Sequence, residues 1–284
     1  MNRRILILGS GGQIGAYLTD YLNKIGYEVL EFDIVNGLHH DMTEIPNPEL
    51  HRKIMLSHFV FFLAFDVGGS HYLKKYQHTF KFIDNNTRMM ANVFGLLEKY
   101  DKPFVFASSQ MSNMSYSPYG VMKRVGELYT KSLGGLIVKF WNVYGIEKDM
   151  EKAHVITDFI RKGFETGVID MMTDGTESRE FLYAEDCCEG LEAVMGNYDR
   201  LTSDDELHIT TGNSTTILEI AHIIQKLFSN IGKEIVIKPA ESKDEVQKDA
   251  KNVSDPYIQK FWRSTTSVKE GLAKVFYEMK KNYE

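Results

Sequence analysis

The apolar run Ile5-Leu6-Ile7-Leu8 passes directly into Gly9-Ser10-Gly11-Gly12-Gln13-Ile14-Gly15. A continuous apolar run of this kind is a strand buried on both faces. Ile14, Leu18, Tyr21, Leu22 and Ile25 then recur at helical spacing, and Gly26 closes the helix. Tyr27–Phe32 is a second strand, and Asp33 ends it. A strand, a glycine turn, a helix and a second strand ending in an acid leave few folds open. Small residues in the turn let the backbone approach a pyrophosphate, and the helix start offers N–H donors and positive potential. The candidate cofactor-binding residues here are Gly9, Gly12, Gln13, Ile14, Gly15 and Asp33. The spacing is Gly-x-x-Gly-x-x-Gly, not Gly-x-Gly-x-x-Gly, so the dinucleotide reading rests on the flanking elements. Asp33 would accept from ribose hydroxyls and repel a 2′-phosphate, which favours NAD over NADP.

Further along, Phe59–Ala64 and Phe104–Ala107 read as the third and fourth strands, and Leu136–Phe140 as the fifth. Residues at the carboxyl ends of parallel strands face the ligand crevice. This places Leu63 and Ala64 beneath a cofactor and Ser108 and Ser109 beside it. Residues 36–56, with Pro46 and Pro48, read as loop-rich; Asp41 and Met42 there are candidates for the adenine end. His39 and His40 have no third ligand nearby and read as solvated, so no metal is expected. Gly68-Gly69 is a break, and residues 72–100 read as largely helical. Mid-helix asparagines usually face water, but one of Asn85 and Asn86 can instead bind backbone near the site; Asn86 is the candidate.

Ser117-Pro118-Tyr119-Gly120-Val121-Met122-Lys123 carries the chemistry. Four residues apart on a helix, Tyr119 and Lys123 share a face. An ammonium beside a phenol favours the phenolate, so Tyr119 can exchange a proton with a substrate hydroxyl or carbonyl. Tyr144/Lys148 and Tyr277/Lys281 share the spacing and read as surface coincidences. From about residue 147 the pattern changes to shorter elements, the run 241–251 reads as a solvated loop, and 268–279 as a final amphipathic helix. The expected division is a dinucleotide-binding part, 1–146, and a smaller α/β part, 147–284, with segments that can cross back.

Across 284 residues the net charge of −6 argues against nucleic acid as the main partner. Cys187 and Cys188, adjacent in sequence, cannot staple the chain, and no apolar run reaches a membrane span. The chain reads as cytoplasmic, with the two cysteines as buried packing.

Together these motifs resemble the extended short-chain dehydrogenase/reductases, in their NAD-dependent sugar-nucleotide epimerase/dehydratase branch. The motifs are Gly9/Gly12/Gly15, Asp33, Ser108-Ser109, Tyr119/Lys123, Asn142-Val143-Tyr144-Gly145, Asp174-Gly175, Arg179 to Asp186, and Trp262. The resemblance implies an α/β fold, a Rossmann-type doubly wound parallel sheet with a smaller C-terminal substrate part. It implies Tyr119 as acid/base, Lys123 on the nicotinamide ribose and Ser109 orienting the reacting hydroxyl. Gly69, Ser109, Gln110, Asn142 and Arg179 would hold a sugar nucleotide, Arg179 on the diphosphate rather than on Glu180 or Glu185. The implied reaction is hydride transfer at C4 of the sugar, as a 4-dehydrogenase or 4-keto reductase, with 4-epimerisation the alternative. Gln110 and Met111 stand where 4,6-dehydratases of this branch carry Asp and Glu, which demotes dehydration. A non-catalytic NAD-binding regulator would be expected to lack Tyr119 or Lys123. Lys139 stands where Arg is common. The Ser109–Tyr119 loop is short, which predicts an open sugar pocket with Met111 and Met114 at its wall. The branch implies a homodimer pairing through the helices of Asn86 and Tyr119.

Overall fold

The computed structural model describes residues 3–247 and 253–284. The elements in chain order are β1 (Arg4–Leu8), α1 (Gln13–Lys24), β2 (Glu28–Phe32), α2 (Pro48–Leu56), β3 (Phe59–Phe62), α3 (Ser70–Tyr76), α4 (Phe80–Tyr100), β4 (Phe104–Ser109), α5 (Pro118–Ser132) and β5 (Leu136–Phe140). There follow β6 (Asn142–Tyr144), α6 (Val155–Thr166), β7 (Val168–Asp170), β8 (Ser178–Tyr183), α7 (Ala184–Gly196), β9 (Leu207–Ile209), β10 (Ser214–Thr216), α8 (Ile217–Asn230), β11 (Val236–Lys238) and α9 (Val268–Lys280).

Six parallel strands form the central sheet in the order β2-β1-β3-β4-β5-β9. Period-two alternation explains its two-sided core. Ile5, Ile7, Phe59 and Phe61 pack on one face with α1 and α7, while Leu6, Leu8, Val60 and Phe62 pack on the other with α2 and α4. The chain reverses direction across the sheet between β1 and β3, so a ligand crevice opens at their carboxyl ends. β9 and α7 lie beyond residue 147 in sequence, yet β9 pairs with β5 and α7 packs on α1. The smaller part is a three-stranded sheet, β10-β8-β6, and a two-stranded one, β11-β7, with α6, α8 and α9 around a second core.

Local departures have local causes. Residues 48–56 are helical rather than loop: Asn47 accepts from the Leu50 N–H, Pro48 sits in the first turn, and Leu50 and Ile54 are buried. The expected long helix over 72–100 is two, α3 and α4, with Thr79 capping the second through the Phe82 N–H. Tyr144 is no surface residue: it is buried, its hydroxyl reaching the Val268 carbonyl. Tyr277 is exposed. Cys187 and Cys188 are free, fully buried thiols whose pKa values burial pushes up.

Candidate functional site

Gly9 sits at φ +93, and a Cβ there would lie 2.7 Å from the Ala64 nitrogen. A Cβ on Gly15 would lie 2.0 Å from the Gly9 carbonyl oxygen. Only glycine lets β1, the turn after β3 and the start of α1 come this close. α1 begins with no side-chain cap, so its first-turn N–H groups are open to an anion. Asp33 holds the rim: its carboxylate accepts from the Gly11 N–H at 3.0 Å and the Val35 N–H at 3.1 Å. Gln13 reaches the Gly145 carbonyl at 3.5 Å, and Ile14 and Leu63 pack against the core. Asp41 Oδ1 accepts from both the N–H and the hydroxyl of Thr43, and Met42 is core, its carbonyl accepting from Asn92. Asn86 does not face water. It is fully buried and clamps the Asp66 backbone, accepting from its N–H at 2.8 Å and donating to its carbonyl at 3.2 Å.

Tyr119, Lys123 and Glu127 form one buried stripe on α5, and each serves the end of β4. Ser117 caps the helix through the Gly120 N–H, and Pro118 opens it. Ser109, beside the Tyr119 phenol at the end of β4, accepts from the Met111 N–H at 3.1 Å through its Oγ. Lys123 Nζ donates to the Ala107 carbonyl at 2.6 Å. The Ser108 hydroxyl donates to Glu127 at 2.6 Å, so it is turned into α5 rather than into the crevice. Burial pushes Tyr119 up to about 12, opposed only by Ser109, and burial pushes Lys123 down to about 7, with Glu127 opposing. The expected lowering of the phenol by the ammonium is therefore reversed here. Desolvation favours the neutral form of both groups. The ring of Phe65 covers the ammonium, its centroid 3.8 Å from Nζ.

Tyr119 opens onto a cleft of about 240 Å³ whose walls include Gly69, Ser109, Gln110, Asn142, His154 and Arg179. Asn142 Nδ2 lies 3.4 Å from the Glu180 carbonyl. Arg179, on β8, is buried and pairs with neither Glu180 nor Glu185. It forms an ion pair with Asp244 and donates to the Ser178 carbonyl at 2.7 Å. The charged run is thus not simply solvated. Residues 242–247 cross the cleft: Asp244 meets Arg179, Gln247 accepts from Gln110 at 2.9 Å, and Val246 is buried with Met111, Met114 and Tyr119. Residues 248–252 of that run lie outside the described residues. The short Ser109–Tyr119 loop does not leave an open wall, because Val246 packs there; Met111 lines the cleft and Met114 is interior. Lys139 is buried and pairs with Glu206 at 3.2 Å.

Glu127, Glu147, His154 and Asp244 escaped the sequence reading. Glu127 had a signal, since it continues the Tyr119–Lys123 face by four residues. The ion pair of His154 Nδ1 with Glu147, 2.6 Å long at the cleft wall, and Asp244 had none. Burial would lower the His154 pKa, but Glu147 outweighs it and the net shift is upward.

A switch-point crevice with a glycine turn, and a Tyr-Lys pair at the end of the fourth strand, define a dinucleotide-dependent enzyme fold. The chain belongs to the NAD dependent epimerase/dehydratase family, whose model matches residues 5–210. A curated relative, the GDP-L-fucose synthase of Sinorhizobium fredii, is 25% identical over 96% of this chain and 94% of its own. The UDP-glucose 4-epimerase of Thermotoga maritima, solved with UDP-glucose, superposes with a TM-score of 0.77 at 21% identity, covering 99% of this chain and 100% of that one. A GDP-6-OMe-4-keto-L-xylo-heptose reductase from C. jejuni gives 0.82 at 17% identity, covering 100% and 99%. The cofactor is NAD, and the close-packed Gly9/Gly15 turn, the uncapped α1 and the Asp33 carboxylate fit it. No helix among the described residues is long and apolar enough to cross a membrane.

Proposed function

We propose that this chain is an NAD-dependent oxidoreductase acting at C4 of a nucleotide-activated sugar, as a 4-dehydrogenase or a 4-keto reductase. The observation that carries the reading is the convergence of Ser109, Tyr119 and Lys123 at the end of β4, with Tyr119 on the wall of the cleft that holds Arg179. NAD, when bound, accepts or supplies the hydride. Gly9, Gly12, Gln13, Ile14 and Gly15 would hold its pyrophosphate, Asp33 a ribose and Lys123 the other ribose. Tyr119 takes the proton of the reacting hydroxyl or returns it to the carbonyl, and Ser109 orients that oxygen. Asn142 and Arg179 bind the sugar nucleotide, Arg179 exchanging Asp244 for phosphate. Gln110 and Met111 have no titratable group to pass a proton, which argues against elimination. We also propose a homodimer through α4 and α5, and a reducing compartment because Cys187 and Cys188 are free and buried.

Incubation with UDP- and GDP-sugars, following NADH absorbance and product stereochemistry together, tests the reading. Stoichiometric formation or consumption of NADH is expected; recovery of the C4 epimer with no net NADH would assign 4-epimerisation instead. Tyr119→Phe should lower kcat by about 10²–10⁴, the usual worth of a positioned acid/base, and leave NAD affinity nearly unchanged. Full turnover in that variant would remove Tyr119 from the chemistry.

A further inference from the structure

Lys123 has three N–H donors, and one is spent on the Ala107 carbonyl. The ring of Phe65 lies over the ammonium at 3.8 Å, with the rings of Phe106 and Tyr119 farther off at 5.2 Å and 5.8 Å. The same Phe65 ring meets Tyr119 edge to face, centroids 5.7 Å apart. Lys123 is 3% exposed and Tyr119 9%. One side chain therefore screens both groups that the proposed reaction uses.

The backbone that carries Phe65 is tied on both sides. Leu63 and Ala64 N–H groups both donate to the Leu8 carbonyl, at 2.9 Å and 2.8 Å. Asp66 is held by Asn86 through its backbone, and by Tyr72, Lys152 and Asn85 through its carboxylate. Phe65 itself is half-buried, so its ring has an open side. The ring can leave by changing rotamer while its backbone stays in place.

We propose that Phe65 is a shutter over Lys123 that competes with the ribose at the nicotinamide end of NAD and sets the affinity for the cofactor. This rests on the reading of Lys123 as a ribose ligand given above. A hydroxyl approaching the ammonium meets the ring first, and binding must overcome a cation–π contact made in a desolvated place. The observed dissociation constant is then the intrinsic one divided by the fraction of molecules with the ring displaced. The adenosine half of the cofactor, bound at Asp33, does not meet Phe65.

Calorimetric titration with NAD, ADP-ribose and ADP tests this on the full chain. Phe65→Ala should tighten NAD and ADP-ribose about tenfold, the scale of one buried cation–π contact, and leave ADP unchanged. Phe65→Leu should tighten them less, and Phe65→Trp should weaken them, so the series stands even where the alanine variant does not fold. NAD affinity that is unchanged or weaker in both Phe65→Ala and Phe65→Leu overturns the shutter while wild-type NAD binding keeps the cofactor reading. An equal gain for ADP also overturns it, since the effect would not be local to Lys123. Failure of the wild type and every variant to bind any of the three ligands would take down the NAD reading and the shutter together.

Discussion

Lys123 is a charge kept where charge is costly, and its titration gives that cost a sign. Its pKa falls from the ordinary lysine value to about 7 because burial disfavours the ammonium, with Glu127 opposing. The unfolded chain then binds more protons than the folded one between about pH 7 and 10.5, so stability should rise with pH across that window. Below pH 7 the full cost is present. Lys123→Met keeps the stem and removes the charge. It should abolish turnover yet raise stability at pH 6 by about 2 kcal/mol, within the range seen when buried ions give way to apolar residues. Urea denaturation of both proteins at pH 6 and pH 9 checks this: the gap should be wider at pH 6. A gap that widens towards pH 9 would mean that the Ala107 and Phe65 contacts outweigh desolvation. Tyr119 and Lys123 were legible in sequence because four-residue spacing on a helix is a local rule. The direction of the Tyr119 shift was not, because it depends on burial supplied by Phe65, Phe82 and Val246 from three other segments.

At the scale of elements, the segment 242–247 shows where sequence reading stops. Its composition is that of a solvated loop, and three of its residues, Ser242, Lys243 and Glu245, are exposed. What makes it a cover is a partner 65 residues away, since Asp244 meets Arg179 from β8. No periodicity encodes such a pairing. The central strands β1, β3, β4 and β5, by contrast, announced themselves as apolar runs, whereas β6, β7 and β10 carry no such run; α2 was hidden because Pro46 and Pro48 read as loop formers when Pro48 starts a helix. The Arg179–Asp244 pair predicts opposed effects of one change. Asp244→Asn leaves a buried guanidinium without its counter-charge, so the ligand-free protein should lose about 3 kcal/mol, the cost of breaking a buried pair. The same change removes the competitor for phosphate, so UDP or GDP should bind more tightly and raise the melting temperature by more than in wild type. Arg179→Ala should weaken both nucleotides by about 1.5–3 kcal/mol, the worth of a charged hydrogen bond. Thermal shift assays with and without nucleotide separate the two. Equal ligand shifts in wild type and Asp244→Asn would show that the pair does not compete with substrate.

The whole molecule presents one more surface that its own chain does not cover. α4 and α5 lie side by side, and their outward faces carry Phe80, Ile83, Val121, Leu128 and Tyr129, all at least 40% exposed. Ala91 and Gly95 lie on the same outward side of α4 and are exposed. A glycine inside a helix costs about 0.5–1 kcal/mol relative to alanine, and a Cβ on Gly95 would meet nothing within 4 Å of this chain. That cost is explained if a second helix approaches closely there. Two copies related by a two-fold axis would then form a four-helix layer that buries this apolar face. The opposite face of α5 carries Tyr119 and Lys123, so the pairing supports the helix without supplying a group to the cleft. Leu128→Asp places a charge in the centre of that face and should give a monomer by sedimentation at micromolar concentration, where the proposed pairing would make wild type a dimer. Gly95→Leu should act in the same direction by bulk alone. Because the site lies within one chain, the Leu128→Asp monomer should bind NAD with an affinity within about threefold of wild type, the spread expected of distant, independent positions. A wild-type protein that sediments as a monomer would leave the apolar face needing a different partner, and Gly95→Ala would then stabilise the chain instead of weakening its association.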